Sequence, residues 1–407
     1  MRVLEFPMIQ RHPEVLAPAG SLDKLKVAVL YGANAVYVGG QKFGLRTAAE
    51  NFTLDELREG VAFAHERNAQ VYVVLNSFLH DKDFQELPEF IKFLEEIKVD
   101  AVIVSDLGVV KTVVNLSKIP VHISTQASTL NVEGAKFWKS MGASRVVLGR
   151  EISIKEAGKI RREAGIEVEL FVHGSMCMAY SGHCVISNFT QGRDSNRGGC
   201  AHSCRFEYSI DMPDSKERKK AYFMSSKDLE GLRVLPEFIN EGIDSLKIEG
   251  RMKSHLYAGT MSKVYSEALK YYKDHGDFLS DDLYYWEEEL NKVSHRSYTE
   301  ASLVKKADAD SIFNERENST EAEWQMVGTI LEASPKTGIV MEVRNAFNQG
   351  DEIEILPFST RAIKIIANEI TDIMMKPIQR TRPSTLVKLP YVAGVERYHL
   401  VRQQVKV

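Results

Sequence analysis

Four cysteines, Cys177, Cys184, Cys200 and Cys204, are the whole cysteine complement of this 407-residue chain, and they fall in one short stretch. Thiolates bind soft metals and attack electrophiles, so this is the first place to look for chemistry. The spacing is C-x6-C-x15-C-x3-C. Structural zinc usually sits on two tight cysteine knuckles, and only Cys200 and Cys204 are that close. The C-x3-C-x2-C pattern of radical enzymes that use S-adenosylmethionine is absent. Four thiolates gathered by turns at Gly174, Gly182, Gly198 and Gly199 can hold a cubane iron–sulfur cluster, whose sulfurs accept backbone N–H bonds. Spacing alone leaves iron–sulfur, zinc and redox thiols open.

The elements that must position these residues read as repeated strand-then-helix units. Short apolar runs begin at Val15, Ala35, Val71, Ala101, Val121, Arg145, Glu167 and Ser245. Most are β-branched and nearly continuous, as parallel strands buried on both faces are. Thr53 with Glu56, and Ser153 with Glu156, have capping-box spacing at two helix starts, and Asn68 suits a helix stop. Eight such units over roughly 250 residues predict a closed (β/α)8 barrel. An open doubly wound sheet is second choice, since the first turn lacks G-x-G-x-x-G.

After the seventh strand an insertion, residues 174–220, replaces the expected helix and holds every cysteine. Arg205 to Asp211 and Lys220 to Met224 read as a hairpin within it, and a helix is expected from Ser226 to Asn240. A further helix runs from Ser254 to about His275. The barrel with its helical extension is placed at 1–304, a polar linker at 305–322, and a small all-β barrel module at 323–407.

Composition sets outer bounds. The chain is 44% apolar and 27% charged with a formal charge of −4, as in globular proteins. No apolar run approaches the roughly 18 residues of a membrane span. The start, Met1-Arg2-Val3-Leu4-Glu5-Phe6-Pro7, lacks a secretory h-region, so a cytoplasmic, reducing setting with no membrane partner is expected. Disulfides are a poor explanation of the cysteines there.

The run Glu169-Leu170-Phe171-Val172-His173-Gly174-Ser175-Met176-Cys177-Met178-Ala179-Tyr180-Ser181-Gly182-His183-Cys184-Val185-Ile186-Ser187 resembles the signature of the collagenase-like peptidase family, U32. Leu16-Ala17-Pro18-Ala19-Gly20, Phe43-Gly44-Leu45-Arg46 and Ile248-Glu249-Gly250-Arg251 resemble it too. The family name implies proteolysis, but members similar to this chain are hydroxylases. They act at C5 of a tRNA wobble uridine, on a 23S rRNA cytidine or on the ubiquinone ring. The resemblance implies a [4Fe–4S] cluster on Cys177, Cys184, Cys200 and Cys204, with prephenate rather than oxygen as the hydroxyl source. It points first to the tRNA branch, with tRNA as macromolecular partner; a homodimer, or a heterodimer with a paralogue, is compatible with it.

Strand ends facing a barrel mouth supply the other candidates. Asn76, Gln126, Arg150, His173, Glu249 and Arg251 end strands, and Arg46 follows the second. Guanidinium groups grip carboxylates bidentately, so Arg46, Arg150 and Arg251 are the choices for prephenate. His173 could handle a proton or donate to the cluster. The blander alternatives are rim ion pairs, Arg150 with Glu151 and Glu249 with Arg251, and a satisfied core histidine at His122.

Proteolysis finds little support in the residues. His65-Glu66 is followed by Arg67-Asn68-Ala69, so H-E-x-x-H is missing, and there is no G-x-S-x-G elbow. A Cys177 nucleophile served by His173 or His183 is conceivable only if the thiolates are free of iron. For RNA, Lys376, Arg380, Arg382, Lys388, Arg397, Arg402 and Lys406 face one acid, Glu396, with Tyr391 and Tyr398 among them. Such a patch suits phosphates and stacked bases, or else is a solvated β-face.

Overall fold

The computed structural model describes residues 12–45, 51–211, 218–313 and 323–405. Eight parallel strands close on themselves: β1 (Glu14–Pro18), β2 (Ala35–Val38), β3 (Gln70–Leu75), β4 (Ala101–Val104), β5 (Val121–Ile123), β6 (Arg145–Val147), β7 (Glu167–Ser175) and β11 (Ser245–Ile248). Neighbours pair in that order, and β11 closes the ring by pairing with both β7 and β1. Helices α1 (Leu22–Leu30), α2 (Leu54–His65), α3 (Leu87–Glu96), α4 (Leu107–Leu116), α5 (Val132–Ser140) and α6 (Ile154–Ala164) fill the connections as far as β7. This is the expected (β/α)8 barrel. Both capping boxes form: Glu56 N donates to Thr53 Oγ1 at 3.2 Å, and Glu156 N to Ser153 Oγ at 3.3 Å.

The barrel interior is divided. Leu16, Ala35, Tyr37, Tyr72, Val74, Ala101 and Ile103 make an apolar cluster on the β1–β4 side. The other side is charged and almost dry. Glu169 of β7, with no exposed surface, takes Lys247 of β11 at 2.6 Å and Arg145 of β6 at 3.4 Å. Arg145 also bonds Glu14 and reaches Glu167 at 2.9 Å. A buried carboxylate is stable only when so paired.

The insertion carries α7 (Ile186–Gln191), a short helix where none was expected. Its hairpin is β8 (Tyr208–Asp211) with β9 (Arg218–Ala221), shorter than the predicted pair, and Lys216 lies outside the described residues. The helix predicted from Ser226 to Asn240 is a correction. Its first part is strand β10 (Asp228–Glu230), antiparallel to the extended end of β7, and only α8 (Leu235–Asn240) is helical. Leu229, Leu232 and Leu235 mimic a helical face. Yet β7 runs on to Ser175 and offers an edge, Arg296 locks Asp228 in place, and Gly231 N bonds Val172 O at 2.8 Å.

Helices α9 (His255–His275) and α10 (Ser280–Asn291), strand β12 (Tyr298–Thr299) and α11 (Ala309–Ile312) follow. The remainder is all antiparallel: β13 (Trp324–Ser334), β14 (Gly338–Val343), β15 (Glu352–Leu356), β16 (Ile363–Ile366), β17 (Thr371–Asp372), β18 (Leu386–Leu389) and β19 (Leu400–Gln404). Its order, β16-β15-β19-β13-β14-β18-β17, leaves the end strands unpaired with each other, a half-barrel with its own core. Tyr31 of the barrel links the two: its hydroxyl donates to Leu356 O at 2.5 Å and accepts from Leu400 N at 2.9 Å.

Arg402, expected among phosphate-facing cations, is fully buried instead. It bonds Glu289 of α10 and Glu354 of β15, each at 2.7 Å, clamping the module to the barrel's helices. Arg402→Met leaves two buried carboxylates chiefly to Lys292, 2.9 Å from Glu289 and 3.5 Å from Glu354, so a loss of roughly 3 kcal/mol is expected. Thermal unfolding should show the module melting before the barrel. An unchanged melting curve would refute the clamp.

Candidate active site

The C-terminal ends of the barrel strands open onto a cavity of about 150 Å³. Its floor is barrel interior: Tyr37, Val74, Ile103, Phe171 and Lys247. Its rim carries Asn76, Gln126, Arg150, Glu249 and Arg251. The cysteine insertion forms its roof, and all four cysteines line it. None is in a disulfide; Cys177 is exposed and the other three are half-buried.

The roof is pinned at several points. Gly182 has φ +82°, a left-handed conformation that suits glycine, and a Cβ there would run into Gln126 O after β5. Ser181 N donates to Glu151 Oε1 at 2.8 Å, Phe78 N to Asn196 O at 3.0 Å, and Arg197 Nη2 to Asp83 at 2.9 Å. Glu151 is thus spent on the roof and is not the partner of Arg150.

Arg205 ties the two ends of the cysteine segment. Buried beside Cys204, it donates to Ser226 O at 2.8 Å and to the carbonyl of Met176, the residue before Cys177. The Cys204 thiol is pushed up by burial, against the pull of Arg205; Cys177, Cys200 and Cys184 add to the rise. Among the described residues no three His, Cys, Asp or Glu side chains converge as they would on one metal ion.

The rim arginines differ in their commitments. Arg150 lies over the Phe171 ring at 3.7 Å and reaches Glu249 at 3.8 Å, so the rim ion pair crosses from β6 to β11. Arg251 is almost fully buried and donates to Asn51 Oδ1 at 3.0 Å. Gly39 makes room for it: a Cβ there would stand 2.5 Å from the guanidinium. Arg46 lies outside the described residues.

His173 is brought elsewhere. It is not among the lining residues; it is packed towards α9, where Nδ1 meets Tyr265 Oη at 3.0 Å, with the Tyr257 and Tyr298 rings beside it. Burial lowers its pKa to about 3. His122 is buried edge-on to Tyr72, its Nδ1 without a hydrogen-bond partner among the described residues. Burial, helped by Arg145 and Lys247, keeps it neutral. Sequence reasoning missed Lys247, Arg205 and His202, all on the cavity lining. A signal for the first existed: a charge inside a strand that must be buried on both faces.

A (β/α)8 barrel whose mouth is roofed by a four-thiol insertion defines the class of protein. Comparisons with known proteins agree, the Peptidase family U32 model matching residues 20–312 and its C-terminal domain model residues 322–402. The chain belongs to this family. It is 41% identical over 358 residues to tRNA hydroxylation protein P1 of Bacillus subtilis, covering 85% of this chain and 84% of that one. A 23S rRNA 5-hydroxycytidine synthase of Escherichia coli is 37% identical, over 63% of this chain and 39% of that one. A collagenase of Porphyromonas gingivalis is 30% identical, over 70% and 72%. No described helix is long and apolar enough to cross a membrane.

Two outcomes follow from this geometry. Arg205→Gln removes the bonds that join the Met176 and Ser226 carbonyls to Arg205, leaving them to Ser226 Oγ and Arg296 Nε, so limited proteolysis should cut within 175–227 faster while the C-terminal module melts as before. Equal cutting rates would show that Arg205 is not the staple. His173, with its pKa depressed, binds its proton in the unfolded chain first. Its contribution to stability is therefore complete above pH 6.5 and falls as pH drops towards about 3, by about 1.4 kcal/mol per unit. Stability of His173→Phe should decline less steeply over that window; parallel curves would contradict the assignment.

Proposed function

We propose that this chain hydroxylates a pyrimidine of RNA, C5 of the tRNA wobble uridine, with prephenate as oxygen donor and a [4Fe–4S] cluster on Cys177, Cys184, Cys200 and Cys204. The observation that carries the reading is the meeting of four thiols and a cationic rim in one cavity. The similarity to tRNA and rRNA hydroxylation proteins supports the RNA substrate. The donor set suits the cluster: four soft sulfurs on one cavity lining, none paired in a disulfide. When bound, the cluster would supply iron able to pass electrons or polarise an oxygen.

In the net reaction one oxygen atom enters the C5–H bond. The base is oxidised by two electrons, and the donor leaves one oxygen poorer and reduced by two. Arg150 and Arg251 hold the donor's carboxylates. Glu249, the carboxylate on the lining, takes the C5 proton once the oxygen has bonded there. Asn76 and Gln126 offer amides for the base edge. Lys376, Arg380, Arg382 and Arg397 are exposed on the C-terminal module and suit RNA phosphates. Lys388 is only half-buried there, and Lys406 lies outside the described residues. Such an enzyme works in the cytoplasm, where its RNA is made. Proteolysis rests on the family's name and the collagenase relative; nothing in this cavity favours it.

Nucleosides from tRNA of a strain lacking the protein test the substrate: 5-hydroxyuridine derivatives should disappear and return with the intact gene. Unchanged tRNA with lost 5-hydroxycytidine in 23S rRNA, or a missing quinone hydroxyl, would replace the assignment. Protein purified without oxygen should be brown with about four irons per chain. A colourless protein holding one zinc would sink the cluster, and exchange of any of the four cysteines for serine should remove both iron and hydroxylation.

A further inference from the structure

We infer that Lys247 is the floor anchor of the anionic co-substrate, so that the ligand stands with its carboxylate end down in the barrel and its opposite end towards the thiol roof. This rests on the proposed function's dicarboxylate donor and adds a residue and an orientation to it.

The charge of the lining points to a dianion. Arg150, Lys247, Arg251 and Arg205 all face the cavity against one carboxylate, Glu249. Arg205 is spent on carbonyls of the roof and Arg150 is shared with Glu249. Lys247 is less fully matched. Its one carboxylate among the described residues, Glu169 at 2.6 Å, is divided with Arg145. Glu169 is not on the lining, whereas Lys247 is, so the ammonium bridges a buried acid below and the cavity above. Its Nζ lies 4.5 Å from the centre of the Tyr37 ring, and that hydroxyl is held by Ile248 O at 3.0 Å. An ammonium has three donors, and among the described residues one is hydrogen-bonded, to Glu169.

Depth gives the orientation. Lys247 lies on β11 and Glu249 just past its end, both on the cavity lining, with Lys247 roughly 6–7 Å deeper along the chain direction. The thiols lie beyond Glu249, on the roof. A ligand reaching Lys247 therefore has its anionic end furthest from the cysteines. Prephenate carries one carboxylate and a pyruvyl arm, which ends in the second, on one ring carbon and its hydroxyl on the carbon opposite. In this pose Lys247 takes the pyruvyl carboxylate from below, the rim guanidiniums of Arg150 and Arg251 take the ring carboxylate, and the hydroxyl points up at the thiols.

The test is calorimetric titration of the anaerobically purified full chain with prephenate and with phenylpyruvate, a monocarboxylate. The unaltered protein should prefer prephenate. Lys247→Met should bind both about 10- to 100-fold more weakly, the expected loss for a charge-assisted hydrogen bond. Lys247→Arg should recover part of it. Because Lys247→Met leaves Glu169 short of a cation, Lys247→Met with Glu169→Gln is titrated beside it, with iron content and melting temperature as checks on folding. If the unaltered protein binds prephenate and the double variant binds it within twofold, the anchor is overturned while the donor reading stands. If the unaltered protein does not bind prephenate, the donor reading fails and takes the anchor with it.

Discussion

A carboxylate sealed inside a barrel has to be matched by positive charge, and Glu169 is matched from two strands at once. Arg145 comes from β6 and Lys247 from β11, across the seam where the ring closes. Arg145 then continues to Glu14 on β1. The charged ladder thus runs from β6 through β7 and β11 and meets the apolar cluster on β1, which carries both Glu14 and Leu16. Its pairing is also what points an ammonium at the cavity. Removing Glu169 would take the carboxylate from Lys247 and weaken the hold on Arg145, so closure of the fold and chemistry of the floor are bound together.

The roof obeys a different constraint. A loop that crosses a barrel mouth has few apolar contacts to hold it, so its position depends on hydrogen bonds to the loops beneath. Ser128 on Ser181, Ser181 on Glu151 and Arg197 on Asp83 supply them, and Gly182 packs close against Gln126. Arg205 joins the residue before the first cysteine to the residue after the last. Four thiols scattered over 28 positions of sequence thereby share one surface.

Much of this was legible beforehand, for identifiable reasons. The barrel strands announce themselves because a parallel strand buried on both faces has to be apolar nearly throughout. Helix starts at Thr53 and Ser153 were readable because capping is local. The cysteine insertion stood out as the unit where the pattern breaks. The segment from Ser226 failed because its leucines have helical spacing, while the partner that makes it a strand, the end of β7, lies about 50 residues earlier. His173 failed as a mouth residue because position near a strand end does not say which way the ring packs. Arg402 failed as a phosphate ligand because its two acids come from distant elements.

The sequence by itself determined the periodic architecture, the thiol inventory and the family, since these depend on residue type and local spacing. Tertiary structure alone decided which charges work in the cavity. It buried Arg402 in a clamp, turned His173 towards Tyr265, paired Arg150 with Glu249 and raised Lys247 from an anomaly in a strand to the floor of the site. The physical reason is the same in each case. A charge or an imidazole goes where distant partners can compensate its loss of water, and those partners are chosen by the fold.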